Sequence, residues 1–209
     1  MEIHPLGHSS FRLRGKQATV VTDPYDAKEM SVKFPKHIEA DVVTISHDHS
    51  DHNAAALVEG KPYVIKGPGE YEIKGISVIG IASFHDEQEG KERGRNTMYR
   101  IEVDNVKIAH LGDIGHVLSS VQLDALDGVD VLLIPVGGTY TVDAEKAAQI
   151  ISDIEPKIVI PMHDARSNKD LAPLEAFLKK MNKTDAVPVP KLTISRDKLP
   201  AVMEVVVLE

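Results

Sequence analysis

The sequence predicts a single α/β domain, spanning residues 1–209, in which two layered β-sheets are covered by outer helices. Short strand-like runs dominate the first half of the chain, whereas apolar strands alternate with helical segments in the second half. Several of these strands are apolar on both faces, which indicates sheets covered by other layers. No Gly/Ser-rich or charged spacer divides the two halves, so one domain is favoured over two.

The predicted elements follow this division of the chain. Strands bounded by Gly, Pro or Asp turns are predicted at residues 2–7, 9–14, 18–24, 40–46, 62–69, 71–75, 76–82, 97–103 and 104–113. In the second half, helices are predicted near 119–126, 142–154 and 169–181. Each helix is followed by a predicted strand, at 129–136, 157–163 and 202–209 respectively. Ser119 and Asp143 are suitable N-caps for the first two helices, because their side-chain oxygens can accept hydrogen bonds from free backbone amides.

The composition restricts the classes of function. With 24 Lys and Arg against 32 Asp and Glu the net charge is −8, which disfavours a broad nucleic-acid-binding surface. The sequence contains no cysteine, so a metal site would have to use histidine and carboxylate ligands. The amino terminus lacks the apolar core of a signal peptide, and no run approaches the ~20 apolar residues of a membrane helix. We therefore expect a cytoplasmic protein without a membrane anchor.

Residues 46–53, SHDHSDHN, follow a predicted apolar strand and contain a dense cluster of metal-ligating side chains. In an extended segment His47 and His49 can point the same way, because side chains alternate with a period of two. Asp51 and His52 would face a second position as the chain turns, so this loop could supply ligands to two adjacent ions. The alternative is a solvated polar loop that is rich in histidine.

Three further candidates share one position in the predicted fold. His85, Asp113 and His163 each stand at or just after the carboxyl end of an apolar strand. In open sheets the carboxyl ends of strands, with the loops that leave them, form the usual ligand-binding edge. Any one of these residues could be an ordinary core or loop residue. Their shared position predicts that they converge with the histidine-rich loop.

These motifs resemble the metallo-β-lactamase superfamily. The H-x-H-x-D-H motif at 47–52, followed by His85, Asp113 and His163, matches the superfamily in residue type and order, and the match covers nearly the whole chain. The stretch GHSSFRL is similar to the opening strand of the small metal-dependent hydrolases grouped with ascorbate 6-phosphate lactonase. The resemblance implies a four-layer αββα sandwich with the active site at one edge, between the two sheets.

The same resemblance implies a dinuclear metal site. The implied ligands are His47, His49 and His85 for one divalent ion, Asp51, His52 and His163 for the other, and Asp113 as the bridge. Two ions ~3.5 to 4 Å apart can hold a hydroxide that attacks an ester, lactone or phosphoester. Zn²⁺ is favoured by this mixture of imidazole and carboxylate, and Mn²⁺ or Fe²⁺ also fit. A metal-bound hydroxide acting on a small anionic molecule is therefore the expected chemistry.

Three residues at the site are candidates for a catalytic role: Asp48, Asp51 and His8. Asp48 could orient the nucleophile or carry a proton, or it could cap backbone amides of its own loop. His8 could reach the rim of the site to bind substrate, or it could have a local structural role. His110 is not expected to be a ligand, and His116 is expected at the surface.

Substrate contacts are expected from two loops. The segment 85–96 could close over the site and offer Arg93 or Arg95 to an anionic substrate, or it could be a solvated loop of mixed charge. Tyr140, which follows another strand, could hydrogen-bond substrate or pack within its turn. Further on, this chain has Asp164 where similar proteins often have an aromatic residue, so its substrate preference could differ from theirs.

Three functions are open on the sequence alone. The first is a dinuclear hydrolase that acts on a small-molecule substrate. The second is a phosphodiesterase or nuclease acting on short nucleic acid, against which the acidic net charge counts. The third is a non-catalytic protein that uses the same metal pocket to bind a ligand. The sequence does not determine the oligomeric state, and a homo-oligomer is one of the alternatives.

Overall fold

The computed structural model describes residues 1–26, 28 and 30–209. In chain order the strands are β1 (Glu2–Gly7), β2 (Ser10–Arg14), β3 (Thr19–Thr22), β4 (Val42–Ile45), β5 (Tyr63–Lys66), β6 (Gly69–Ile73), β7 (Ile76–Phe84), β8 (Arg95–Val103), β9 (Val106–His110), β10 (Val131–Pro135), β11 (Ile158–Met162), β12 (Leu192–Thr193) and β13 (Glu204–Val205). The α-helices are α1 (Ser120–Ala125), α2 (Ala144–Ile154) and α3 (Leu174–Lys180), and short 3-10 helices cover Ala55–Leu57 and Arg196–Lys198.

These strands form two mixed sheets. The first sheet has the order β12-β1-β2-β3-β4-β5, and the second has the order β13-β11-β10-β9-β8-β7-β6. β3, β4 and β5 are parallel in the first sheet, and β9, β10, β11 and β13 are parallel in the second. Because parallel neighbours end on the same side of a sheet, the loops that leave each parallel group gather at one edge.

Apolar side chains pack on both faces of each sheet. Between the sheets, Leu13 of the first sheet and Leu133 of the second belong to one buried cluster. The α-helices cover the outer face of the second sheet, where Phe177 of α3 is fully buried. In the described residues, loops and the 3-10 helix Ala55–Leu57 cover the outer face of the first sheet, with Val43 in that cluster. The layer over the first sheet is therefore built mainly from loop residues.

The predicted fold class is confirmed: two mixed sheets with outer helices form an α/β sandwich in one domain. Both predicted N-caps are also confirmed. The Ser119 side chain accepts a hydrogen bond from the Gln122 amide, and the Asp143 side chain accepts one from the Lys146 amide. Each cap satisfies a backbone donor that the first helical turn leaves free.

Helix α3 begins at Leu174 rather than near the predicted residue 169. The residue before a proline is disfavoured in the helical conformation, and Ala172 precedes Pro173. The Ala172 amide instead donates to the carbonyl oxygen of Gly137 at 2.8 Å. The segment before Leu174 is therefore held in a turn by a contact that is distant in the sequence.

The helices are short, and α2 contains 11 residues. Within the described part of the chain, no helix combines the length and apolar character needed to cross a membrane. The cytoplasmic location stays a prediction.

Candidate metal centre

The predicted ligands lie on loops that leave four strands at one edge of the sandwich. The motif at 47–52 follows β4, His85 follows β7, Asp113 follows β9, and His163 follows β11. All residues of β4 and β11 are buried. Buried strands fix the positions of the loops that leave them, so the ligand side chains start from a rigid base.

The first group of candidate ligands consists of His47, His49 and His85. One ligand nitrogen from each lies within 4.8 Å of the other two. The ring centroids are 4.6 Å apart for His47 and His49, and 4.8 Å apart for His47 and His85. His47 and His85 are buried, whereas His49 is exposed. This group could hold one cation with an open side towards solvent.

The second group consists of His8, His52 and His163, whose ligand nitrogens also lie within 4.8 Å of one another. All three residues are buried. Asp51 lies beside this group, with its Oδ2 atom 3.8 Å from Nε2 of His52 and 3.6 Å from Nε2 of His8. The structure therefore brings Asp51, His52 and His163 to one position, and it adds His8 to them.

The Asp113 carboxylate lies between the two groups. Its Oδ2 atom is 3.2 Å from Nε2 of His85, 3.3 Å from Nε2 of His52 and 3.1 Å from Nε2 of His163. One carboxylate oxygen thus contacts imidazoles of both groups, which is the arrangement that a bridge between two cations requires.

Several buried polar atoms at this centre have no hydrogen-bond partner among the described residues. They include Nε2 of His8, His47 and His52 and Oδ1 of Asp113. Leaving a buried polar group unpaired costs ~1–3 kcal/mol. Imidazole nitrogens and carboxylate oxygens are suitable ligands for Zn²⁺, Mn²⁺ and Fe²⁺. The donor set therefore fits divalent cations, which would satisfy these atoms.

Burial and neighbouring charges shift the pKa values at this centre. Burial would raise the pKa of Asp113, but His163 and His52 lower it well below its usual range. Burial lowers the pKa of His47 to about 3, and His52 contributes to the same shift. Burial also acts to lower the pKa of His52, but the Asp113 and Asp23 carboxylates raise it well above its ordinary value. The two carboxylates therefore create a negative environment around His52, which also favours a bound cation.

Asp23 is a further residue of the candidate centre that the sequence did not reveal. Its buried carboxylate accepts hydrogen bonds from Nδ1 of His52 at 2.9 Å and from the hydroxyl of Ser46. The Ser46 oxygen in turn contacts Nδ1 of His47 at 2.9 Å. One carboxylate thus orients an imidazole in each ligand group. Its position just after β3 was the available signal, because the predicted ligands also follow strands.

Replacing Asp23 by Asn is expected to lower metal affinity by about 10- to 100-fold, because the amide cannot orient His52 and Ser46 as the carboxylate does. Metal titration followed by a competing chelator measures the change. Asp26→Asn is the matched control, since the Asp26 carboxylate is partly exposed and pairs with Lys28. Equal affinities in the wild type and the Asp23 variant would contradict the orienting role.

A cavity of about 1010 Å³ opens beside His47 and His49. Three basic residues line it: Lys66, Arg93 and Arg95. Positive charges in a cleft attract anionic ligands and can pair with them directly. The structure thus brings both predicted arginines to one cavity with His47 and His49 of the first ligand group. Lys66 was not predicted, although its position at the end of β5 could have indicated it.

The loop 86–94, which carries Arg93, is organised by the Asp86 carboxylate. This carboxylate accepts hydrogen bonds from the backbone amides of Gln88, Gly90, Glu92 and Arg93. The Arg93 guanidinium lies over the Tyr140 ring, 4.5 Å from its centroid, in a cation–π arrangement. Tyr140, a predicted substrate contact, therefore meets Arg93 directly. These contacts give the loop a defined shape and hold Arg93 at the cavity.

The other predicted residues have local partners. Asp48 is exposed, lines the cavity and accepts a hydrogen bond from the side-chain amide of Asn53 at 2.8 Å. Nε2 of His110 contacts the carbonyl oxygen of Ser9 at 2.7 Å. His116 contacts backbone groups through both ring nitrogens. These contacts explain the positions of His110 and His116 without a ligand role.

Known proteins resemble this chain over most of its length. A family model described as a β-lactamase superfamily domain matches residues 2–163. The chain is 32% identical over 182 residues to a metal-dependent hydrolase from Thermoplasma acidophilum, covering 75% of this chain and 80% of that protein. It is 28% identical over 188 residues to a metal-dependent hydrolase from Thermococcus onnurineus, covering 78% of this chain and 84% of that protein. The chain also resembles a crystal structure from Thermotoga maritima that is described as a Zn-dependent hydrolase of the metallo-β-lactamase superfamily. The two are 36% identical and superpose with a TM-score of 0.82, and the match covers 99% of this chain and 97% of the Thermotoga chain.

Proposed function

The chain belongs to the metallo-β-lactamase superfamily and is a metal-dependent hydrolase, and we propose that it uses two divalent ions to cleave an ester, lactone or phosphoester in a small anionic substrate. The position of Asp113 carries this proposal. One of its oxygens lies 3.1 to 3.3 Å from imidazoles of both ligand groups, so it can bridge two ions and set their spacing.

The proposed ligands are His47, His49 and His85 for one ion, Asp51, His52 and His163 for the other, and Asp113 for both. If bound, the ions would supply an activated hydroxide and would offset the negative charge that develops on the attacked group. Zn²⁺ is favoured by the nitrogen-rich donor set, and Mn²⁺ or Fe²⁺ would also fit. Asp48, which lines the cavity, is a candidate to carry a proton to the leaving group.

The charge of the cavity supports an anionic substrate. Lys66, Arg93 and Arg95 line the same cavity as His47 and His49. A negative group held by these cations would keep the scissile bond near the metal centre, which accelerates the reaction by proximity. Because the whole chain carries a net charge of −8, this cluster of cations is a local feature of the cavity.

Arg93→Gln is expected to raise KM for an anionic substrate by about 10- to 100-fold, because a hydrogen bond to a charged group contributes ~1.5–3 kcal/mol. Steady-state kinetics on a matched pair of anionic and neutral substrates measures this effect. Lys91→Gln is the control, since Lys91 is an exposed cation of the same loop. Equal KM changes for the anionic and neutral substrates would argue against a charge contact from Arg93.

The proposed function is tested by assaying the metal-reconstituted protein against a panel of lactones, carboxylic esters, thioesters, phosphomonoesters and phosphodiesters. Each class is represented by an anionic and a neutral member of similar size. We expect turnover on a lactone, ester or phosphoester, with the anionic member preferred. Elemental analysis before the assay gives the number and identity of the ions per chain.

The same panel distinguishes the alternatives. Turnover restricted to phosphodiesters and short oligonucleotides would favour a phosphodiesterase or nuclease. Absence of turnover on every class, together with tight retention of a cellular metabolite through purification, would favour a non-catalytic binder and reject the proposed function.

A further inference from the structure

His8 occupies a strained position at the turn between β1 and β2. Gly7 and His8 both have positive φ angles, 103° and 53°. A residue with a Cβ atom is disfavoured in this conformation, and such strain persists only where the surroundings hold it in place. The His8 side chain is 1% exposed. The turn therefore directs a buried imidazole towards the metal centre instead of leaving it at the surface.

The hydrogen bonds of Ser167 determine which ring nitrogen of His8 carries a proton. The Ser167 hydroxyl donates to the carbonyl oxygen of Asp164 at 2.9 Å, so its own proton is already used. It can then only accept from Nδ1 of His8, which lies 3.0 Å away. The Asp164 carboxylate holds this segment through the Arg166 guanidinium. Nδ1 of His8 is therefore committed to Ser167, and Nε2 faces the centre.

Nε2 of His8 has a chemical environment that suits a cation. It is buried and has no hydrogen-bond partner among the described residues. The Oδ2 atom of Asp51 lies 3.6 Å away, too far for a hydrogen bond, and both atoms are electron-pair donors. The ligand nitrogens of His52 and His163 lie within 4.8 Å of the His8 ligand nitrogen. Four donors thus surround one position.

We propose that His8 is a ligand of the second ion, so that this ion is held by His8, Asp51, His52 and His163 together with the shared Asp113. This inference rests on the proposed dinuclear function. It assigns His8 to the metal, in place of the direct substrate or catalytic role predicted from the sequence. The physical basis is a buried lone pair that is aimed at three other donors by a strained turn and a fixed hydroxyl.

The two ions would then differ in their surroundings. The second group contains three buried imidazoles and the Asp51 carboxylate. The first group contains the exposed His49, which lines the large cavity. With more donors and less exposure, the second ion is the more tightly held, whereas the first retains an open side for substrate. A chelator should consequently remove the first ion before the second.

Two measurements test this assignment. In ¹⁵N-labelled wild type, long-range ¹H–¹⁵N spectra follow Nε2 of His8 during addition of Zn²⁺, and we expect this resonance to move as the second site fills. In parallel, metal titration compares the wild type with His8→Ala, whose affinity for that ion should fall by at least about 10-fold. His37→Ala is the control, because the His37 side chain is 84% exposed.

The outcomes separate this inference from the proposed function. A wild type that binds two ions while the His8 Nε2 resonance stays unchanged would overturn the His8 assignment and leave the dinuclear function standing. A wild type that binds only one ion would contradict the dinuclear function. In that case, a shift of the His8 Nε2 resonance would support His8 as a ligand of the single ion. An unchanged resonance would reject this role of His8. The wild-type spectra decide the question even if the alanine variant does not fold.

Discussion

Asp113→Ala is expected to reduce the metal content from two ions per chain to at most one and to lower turnover by about 10³-fold or more. Asp113 is buried and its Oδ2 atom contacts imidazoles of both ligand groups. Without this carboxylate, the two proposed ions would lose the shared donor that sets their spacing and the negative charge that it places between them. Loss of metal-assisted charge stabilisation costs several kcal/mol of transition-state stabilisation, hence the factor of about 10³. Elemental analysis and turnover on the best substrate of the panel measure both effects.

Asp153→Ala is the matched control for this experiment. Asp153 is an exposed aspartate on α2, so its removal should change neither metal content nor turnover. Two ions bound to the Asp113 variant with wild-type affinity would show that the bridging role is wrong. Circular dichroism of both variants separates loss of metal from loss of the fold.

Gly112→Ala is expected to lower the free energy of unfolding by about 2 to 5 kcal/mol. Gly112 has a φ angle of 55°, where a residue with a side chain is strained by ~1–2 kcal/mol. A Cβ atom there would lie 2.4 Å from Oδ1 of Asn96 and 2.6 Å from Cβ of Ser46, and overpacking of this kind costs ~1–3 kcal/mol. Urea denaturation of the metal-free protein measures the sum.

Gly94→Ala separates the two contributions. Gly94 has a φ angle of 91°, but a Cβ atom built there meets nothing within 4 Å. Its replacement should therefore cost only the backbone strain of ~1–2 kcal/mol. Equal losses of stability in the two variants would mean that the close approach at Gly112 has no energetic consequence. The Gly112 variant should also bind metal more weakly, because Asn96 accepts a hydrogen bond from the Asp113 amide at 3.1 Å.

The strands and helix caps could be predicted because their signals are local. The mainly apolar runs of β4 and β11 correspond to strands that are buried along their whole length. The cap at Ser119 depends on a side chain and an amide three residues away. The prediction that α3 begins near residue 169 was wrong although Pro173 was a local signal, because the residue before a proline disfavours the helical conformation. The hydrogen bond from the Ala172 amide to the distant Gly137 carbonyl leaves no such pattern in the segment itself.

The residue types available for metal and their order can be read from the sequence, since the spacing of His47, His49 and His52 is a local property of one loop. The contributions of Asp23 and His8 to this centre follow from the tertiary structure alone. Asp23 and His8 lie far from this loop in the sequence, and they reach it because β2, β3 and β4 are neighbours in the first sheet, with β3 and β4 parallel. Strand-end positions can be recognised from apolar runs, whereas the distances between strand ends depend on sheet order and packing.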